Sequence, residues 1–243
     1  MALSRWGIVA LGGVFLSLIT SIPANAQILN AVDQGWFTVG SHSSSNNNYF
    51  TGQSGAEYRS WFVFDLTGVN SMITSASLNL FNPSVATSGG NGYFSPDASE
   101  TYQVTSTSTA VGMFGPSYSG APAQAIFDTL GTGTLFGMVN ISSADNGSVV
   151  GLNFNAAGLA YLNANLGQQV AFGGRLNSLS GGADQFVFGF TGDAGSAGNS
   201  QVTLNLTQGP ANLTPEVPAG VQAVPILLAV GGMALYQRKK KRA

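Results

Sequence analysis

The side chains able to do chemistry are few. The chain of 243 residues holds one histidine, His42, no cysteine, ten acids and eight bases. Without a thiol, disulfide scaffolds, Cys/His zinc sites, iron–sulfur clusters and cysteine nucleophiles are excluded. A Ser-His-Asp arrangement would have to run through His42, in the polar string Ser41-His42-Ser43-Ser44-Ser45-Asn46-Asn47-Asn48. No partner stands at a spacing that signifies a triad, so the expectation is a neutral surface histidine. Paired carboxylates could cleave a glycosidic bond, but no spacing here says that two acids meet across a cleft.

The acids suit binding better than catalysis. Asp97, Glu100, Asp145, Asp184 and Asp193 fall in turn-rich stretches. Calcium takes about six to eight oxygens from carboxylates, amides and carbonyls, which makes these five the candidate calcium ligands. No D-x-D-x-D-G loop is present, and the competing reading is a set of turn acids bonded to their own backbone. Asp65 ends an apolar run and reads as a strand-end carboxylate accepting backbone N–H groups. Tyr93, Phe94 and Tyr118 lie in Gly- and Ser-rich stretches and are the candidate sugar platform. Exposed rings stack on sugar faces; the competing expectation is that they fold back over the core.

Composition narrows the partners. Only 7% of residues are charged, against about a quarter in an average domain. Between residues 27 and 208 two bases, Arg59 and Arg175, face nine acids, a net charge of −7. An acidic body of this kind is no partner for nucleic acid, whose phosphates need Lys and Arg on the contact face. Cations fit it better.

The elements that must position these residues read as strands. In Tyr58-Arg59-Ser60-Trp61-Phe62-Val63-Phe64-Asp65-Leu66, Tyr58, Phe62, Phe64 and Leu66 share one face while Trp61 and Val63 take the other. Both faces are apolar, which predicts a central strand covered on both sides. Residues 73–80 and 201–207 alternate cleanly, with Ala76, Leu78 and Leu80 opposite Ser75, Ser77 and Asn79. Further strands are expected at 35–39, 101–106, 135–141, 149–155, 169–173 and 185–191, separated by Gly- and Asn-rich turns. The prediction is an all-β body, an antiparallel β-sandwich or jelly roll. One short helix is expected after Asn155, where Leu159, Leu162 and Leu166 repeat at helical steps, covering an end of the sandwich.

The two ends read as addresses. Arg5 precedes an apolar run over 6–22, and Ala24 and Ala26 then satisfy the small-x-small rule, so residues 1–26 are expected to be a signal peptide cut before Gln27. Residues 27–208 form the body and 209–220 a linker. At 221–243 lies an apolar segment with a basic end, Arg238, Lys239, Lys240, Lys241 and Arg242. Its 16 uncharged residues, 221–236, reach about 24 Å as a helix, short of a comfortable span of ~30 Å of hydrocarbon. The basic end is expected to stay cytoplasmic.

This tail resembles a PEP-CTERM sorting signal. Pro215-Glu216 matches the motif, Val217 stands where the second proline is usual, and Pro218 follows one place later. The resemblance implies a Gram-negative-type bacterium, processing by signal peptidase and an exosortase-type enzyme, transient anchoring in the inner membrane, and then the cell surface or an extracellular matrix. Phe64-Asp65-Leu66 followed by residues 73–80 is similar to a strand pair in secreted bacterial β-sandwich modules, some of which bind polysaccharide. Three classes follow. The first is a non-enzymatic surface or matrix protein associated with exopolysaccharide, without a cofactor unless calcium. The second is a carbohydrate-binding module acting on matrix glycans, and the third is a glycan hydrolase.

Overall fold

The aromatic run at 58–66 becomes the strand on which the fold is built. The computed structural model describes residues 25–84, 92–189 and 202–209. The expectations for Ala24, for Asp193, for the Pro215-Glu216-Val217-Pro218 motif and for the basic tail lie outside them. In order, the strands are β1 Asn25–Asn30, β2 Asp33–Phe37, β3 Ser41–His42, β4 Thr51–Ser54, β5 Ala56–Asp65, β6 Ile73–Asn82 and β7 Glu100–Ser106. There follow β8 Tyr118–Ser119, β9 Leu135–Ile141, β10 Ser148–Asn153, β11 Gln169–Leu176, β12 Gln185–Val187 and β13 Val202–Gln208. Helix α1 spans Ala121–Thr129 and α2 spans Ala156–Ala164.

Every strand pairing is antiparallel. One sheet has the order β1-β13-β6-β10; the other runs β12-β4-β5-β11-β7-β9, with β2 paired to β5. The two sheets share one core. Leu78, Leu80, Leu152, Leu204 and Leu206 of the smaller sheet meet Phe62, Phe64, Tyr102, Val170 and Phe172 of the larger, all at 2% exposure or less. The alternation read in the sequence is what makes this possible: a period of two sends every second residue of β6 and β13 inward. Phe172 is the hub, with ring centroids of Phe64, Phe136, Phe154 and Tyr161 at 5.2–6.1 Å.

The opposite face of β5 is also covered. Trp61 and Val63 pack with Phe37, Ala171 and the α1 residues Ala123, Ile126 and Phe127. Trp61 stacks on Phe114 at 5.0 Å. The body is therefore layered: the four-stranded sheet, the larger sheet, then α1 over part of the latter's outer face.

The expectation of one helix is corrected to two. The helix after Asn155 forms as read, with the Asn155 side chain accepting from Gly158 N and contacts to β9 and β6. Helix α1 was hidden among small residues. Pro122 sits in its first turn, where the missing N–H costs nothing. Its buried Ala123, Ile126 and Phe127 fall at three- and four-residue steps. Arg59 closes its far end: Nη1 donates to the carbonyls of Phe127 and Leu130 at 3.2 and 3.1 Å. The guanidinium carbon lies 4.0 Å from the Phe127 ring centroid, and Nε pairs with Glu57 at 2.8 Å. A cation at orphan C-terminal carbonyls is favourable. Strands β1, β3, β4 and β8 are also additions to the sequence reading.

Candidate functional site

His42 is inside the protein, and the expectation of a surface histidine is corrected. Its ring stacks on Phe37 at 4.3 Å and meets Trp61 edge-on at 5.8 Å. Nδ1 lies 2.7 Å from the Trp36 carbonyl. A carbonyl only accepts, so Nδ1 carries the proton and Nε2 is a bare lone pair. Nε2 is buried without a partner, as is the indole N–H of Trp61. Burial pushes the imidazole pKa down, and the Trp36 carbonyl, Asp33 and the Phe114 carbonyl offset part of that shift. Among the described residues no hydroxyl nucleophile bonds the ring, and the aromatic groups around it make its environment that of a core histidine.

The loop acids divide. Glu100 opens β7 with no exposure at all. Its Oε1 accepts from Ser95 at 2.5 Å, and its Oε2 from the hydroxyl of Ser178, which comes from a different loop. Asp97 Oδ2 accepts from Gln185 Nε2 at 2.9 Å. Glu100 thus ties the loops around 95 and 178 to the start of β7, and Asp97 ties its own loop to β12. Asp145 lies in a separate turn, where Oδ2 accepts from Ser142 N at 2.8 Å in a capping box. Asp184 is half-buried in the turn before β12. Among the described residues, no three His, Asp or Glu side chains cluster closely enough to hold a metal. Asp65 accepts from Thr67 N at 2.9 Å, as a strand-end carboxylate should.

The three candidate platform rings do not share a surface. Tyr93 is buried at 5% exposure, its hydroxyl donating to the Asp97 carbonyl at 2.5 Å, which corrects its reading as an exposed ring. Phe94 stacks on the buried Phe186 at 5.1 Å. Tyr118 packs beside Phe37 at 6.0 Å. Phe186 and Phe37 lie in separate parts of the larger sheet; Phe94 and Tyr118 are half-buried against them.

What the sequence reading did not single out is the outer face of the four-stranded sheet. None of its four strands contains a charged residue. The residues that alternate with the core residues point away from it: Ser75, Ser77 and Asn79 on β6, Thr203, Asn205 and Thr207 on β13. The pairing aligns them in rows. Ile28 stands opposite Asn205, Asn205 opposite Ser77 and Ser77 opposite Asn153. The next row is Asn30, Thr203, Asn79 and Gly151. A shallow hollow of about 240 Å³ opens over this face, lined by residues of all four strands, Asn205, Ser77 and Asn153 among them. The Asn205 side-chain oxygen is buried there without a hydrogen-bond partner. The signal that could have found it was the hydroxyl-and-amide half of the same alternation that identified the core.

Fold and surface together define an all-β, sandwich-like domain carrying an uncharged polar sheet face. Neither a protein-family model nor a curated protein matches the chain. Among the described residues no helix is long and apolar enough to cross a membrane.

Proposed function

We propose that the chain is an exported, non-enzymatic cell-surface or matrix protein. An N-terminal signal segment sends it out, a PEP-CTERM-like tail sorts it, and it associates with exopolysaccharide. The observation that supports this reading best is how the reactive groups are used. His42, Asp97, Glu100 and Asp145 are each engaged in hydrogen bonds that hold loops and turns, while the hollow over the four-stranded sheet is lined by uncharged amides, hydroxyls and aliphatic groups. A hydrolase would need a convergent acid and base in a cleft. The second reading, a carbohydrate-binding module acting on matrix glycans, is favoured by that same face.

The test is cell fractionation with protease access in spheroplasts, joined to a glycan-hydrolysis screen. The body should be digested from outside while an epitope after Arg242 stays protected. Removing residues 215–243 should release a folded body to the medium, and no glycan should be turned over. Digestion of the epitope with the body protected would reverse the topology. Turnover lost on changing Asp97 or Glu100 would make the protein an enzyme.

A further inference from the structure

We propose that the outer face of the four-stranded sheet binds a neutral polysaccharide, laid across the strands along the row Ile28, Asn205, Ser77, Asn153. This rests on the reading of an exported matrix protein and names the surface and the class of glycan.

Three features choose the occupant. The first is charge. The four strands carry none, and the body around them holds nine acids against two bases. Arg59 is committed to Glu57 and to the end of α1. A polyanion approaching this body meets repulsion with no cation on the face to offset it, whereas an uncharged chain meets none. The second is hydrogen-bonding chemistry. An asparagine amide offers a carbonyl acceptor and two N–H donors, and a serine hydroxyl offers both roles, so the row answers the donor–acceptor pairs of sugar hydroxyls. Asn153 is exposed and Ser77 and Asn205 are half-buried, and all three border the hollow. The third is relief. Asn79 Oδ1 leans over Gly151, and beyond it the outward-facing pair Phe81 and Val149 forms an apolar ledge. The C–H face of a sugar ring can pack on such a ledge.

The dimensions fit a chain crossing the strands. Four strands at about 4.8 Å spacing make a row ~14 Å long, enough for a short stretch of polymer. Each contact is weak and water-exchanged, so retention would come from repeated engagement along one polymer. A second copy of this chain is the poorer occupant, because Ile28 on one edge strand and Val149 on the other are separated by the rows of amides and hydroxyls and form no continuous apolar patch to bury against a second face.

The experiment is affinity electrophoresis of the full chain through gels holding dextran, a mixed-linkage β-glucan or galactomannan, with alginate as the polyanion. At least one neutral polymer should retard the protein and alginate should not. The triple variant Asn205→Ala, Ser77→Ala, Asn153→Ala should weaken retardation at least tenfold, and Met138→Ala on β9 should leave it unchanged. If the triple variant does not fold, Asn153→Ala alone, at an exposed position on an edge strand, should weaken it about threefold. Retardation by no neutral polymer, preference for alginate, or indifference to the row variants would overturn the proposal. So would a concentration-dependent dimer abolished by the same variants, which would give the face to a second copy. Fractionation of the same strains separates the two readings. A chain that is exported but not retarded defeats this inference alone; one retarded in the gel but never exported defeats the functional reading alone.

Discussion

The Trp36 carbonyl accepts the Nδ1 proton of His42 at 2.7 Å, across a turn of six residues. The bond fixes one neutral tautomer inside the aromatic layer between Phe37 and Trp61. Burial lowers the pKa of that imidazole, and the sign of the linkage follows. Above the unfolded value of about 6.5 both states are neutral and His42 adds no pH dependence. As pH falls through that value the unfolded chain takes up a proton that the folded chain refuses, so stability declines. The decline is complete once pH has passed below the folded value. Urea midpoints measured from pH 8 to pH 5 should therefore fall on acidification, and His42→Gln should remove this part of the slope. An unchanged slope in the variant would show that other groups cause it.

Glu100 holds two loops through one carboxylate. Its partners Ser95 and Ser178 lie 5 and 78 residues away in sequence. Glu100→Ala strands both hydroxyls without their acceptor and is expected to cost about 3 kcal/mol, while Glu100→Gln keeps one acceptor oxygen and costs about 1 kcal/mol. Urea unfolding checks the order. Equal losses for the two variants would mean that volume, not hydrogen bonding, sets the effect.

Gly174 faces the buried pair Ser60 and Tyr102, whose oxygens are 2.9 Å apart. A Cβ on Gly174 would collide with the Tyr102 hydroxyl and ring, and come within 2.7 Å of Ser60 Oγ. The neighbours are core groups with nowhere to retreat, and Tyr102 has no exposure. Gly174→Ala should destabilise by about 3 kcal/mol, the upper range for an overpacked core. By contrast Gly40, with no atom within 4 Å of its own virtual Cβ, should accept Ala with a change of under ~0.5 kcal/mol. Thermal melts of the two variants make the comparison.

The sequence carried much of this architecture because β6 alternates from Ala76 to Asn82 and β13 along its whole length, while β5 is apolar on both faces. Their inward residues, from Phe62 to Leu206, are the core. It could not carry β4, whose Thr-Gly-Gln-Ser has no apolar period, or β3 and β8, each two residues long. These are strands because their neighbours hold them. Tyr93 and His42 misled for a related reason. Both sit in polar strings, yet each finds an internal carbonyl for its polar end, Asp97 for the phenol and Trp36 for the imidazole, and an aromatic group so satisfied gains by burial. Long-range contacts of this kind leave no local pattern. The uncharged sheet face did leave one, since Ser75, Ser77 and Asn79 repeat with the same period as the core.

The first strand of the body lies beside the last. Asn25 is opposite Gln208, and Gln208 Nε2 donates to Gln27 Oε1 at 2.8 Å. Asn25 and Gln208 therefore lie at the same end of one sheet, the arrangement that the proposed signal segment and C-terminal anchor would need to meet a single membrane without crossing the body. Cleavage after Ala26 would take two residues from β1 and leave Gln27, Ile28, Leu29 and Asn30 on β13, with Leu29 still packed against the main core. Loss of the whole strand would be different. It would strip the ladder bonds from one side of β13 and uncover the core beneath Leu29, at a combined cost of about 3 kcal/mol. Mass spectrometry of the exported chain should find Gln27 as its first residue. A body beginning at Gln27 should unfold at the same urea concentration as one beginning at Asn25, and a body beginning at Ala31 at a clearly lower one. An exported chain whose first residue lies beyond Asn30 would place the cut inside the fold and overturn the assignment of Ala24 and Ala26 as the cleavage signal.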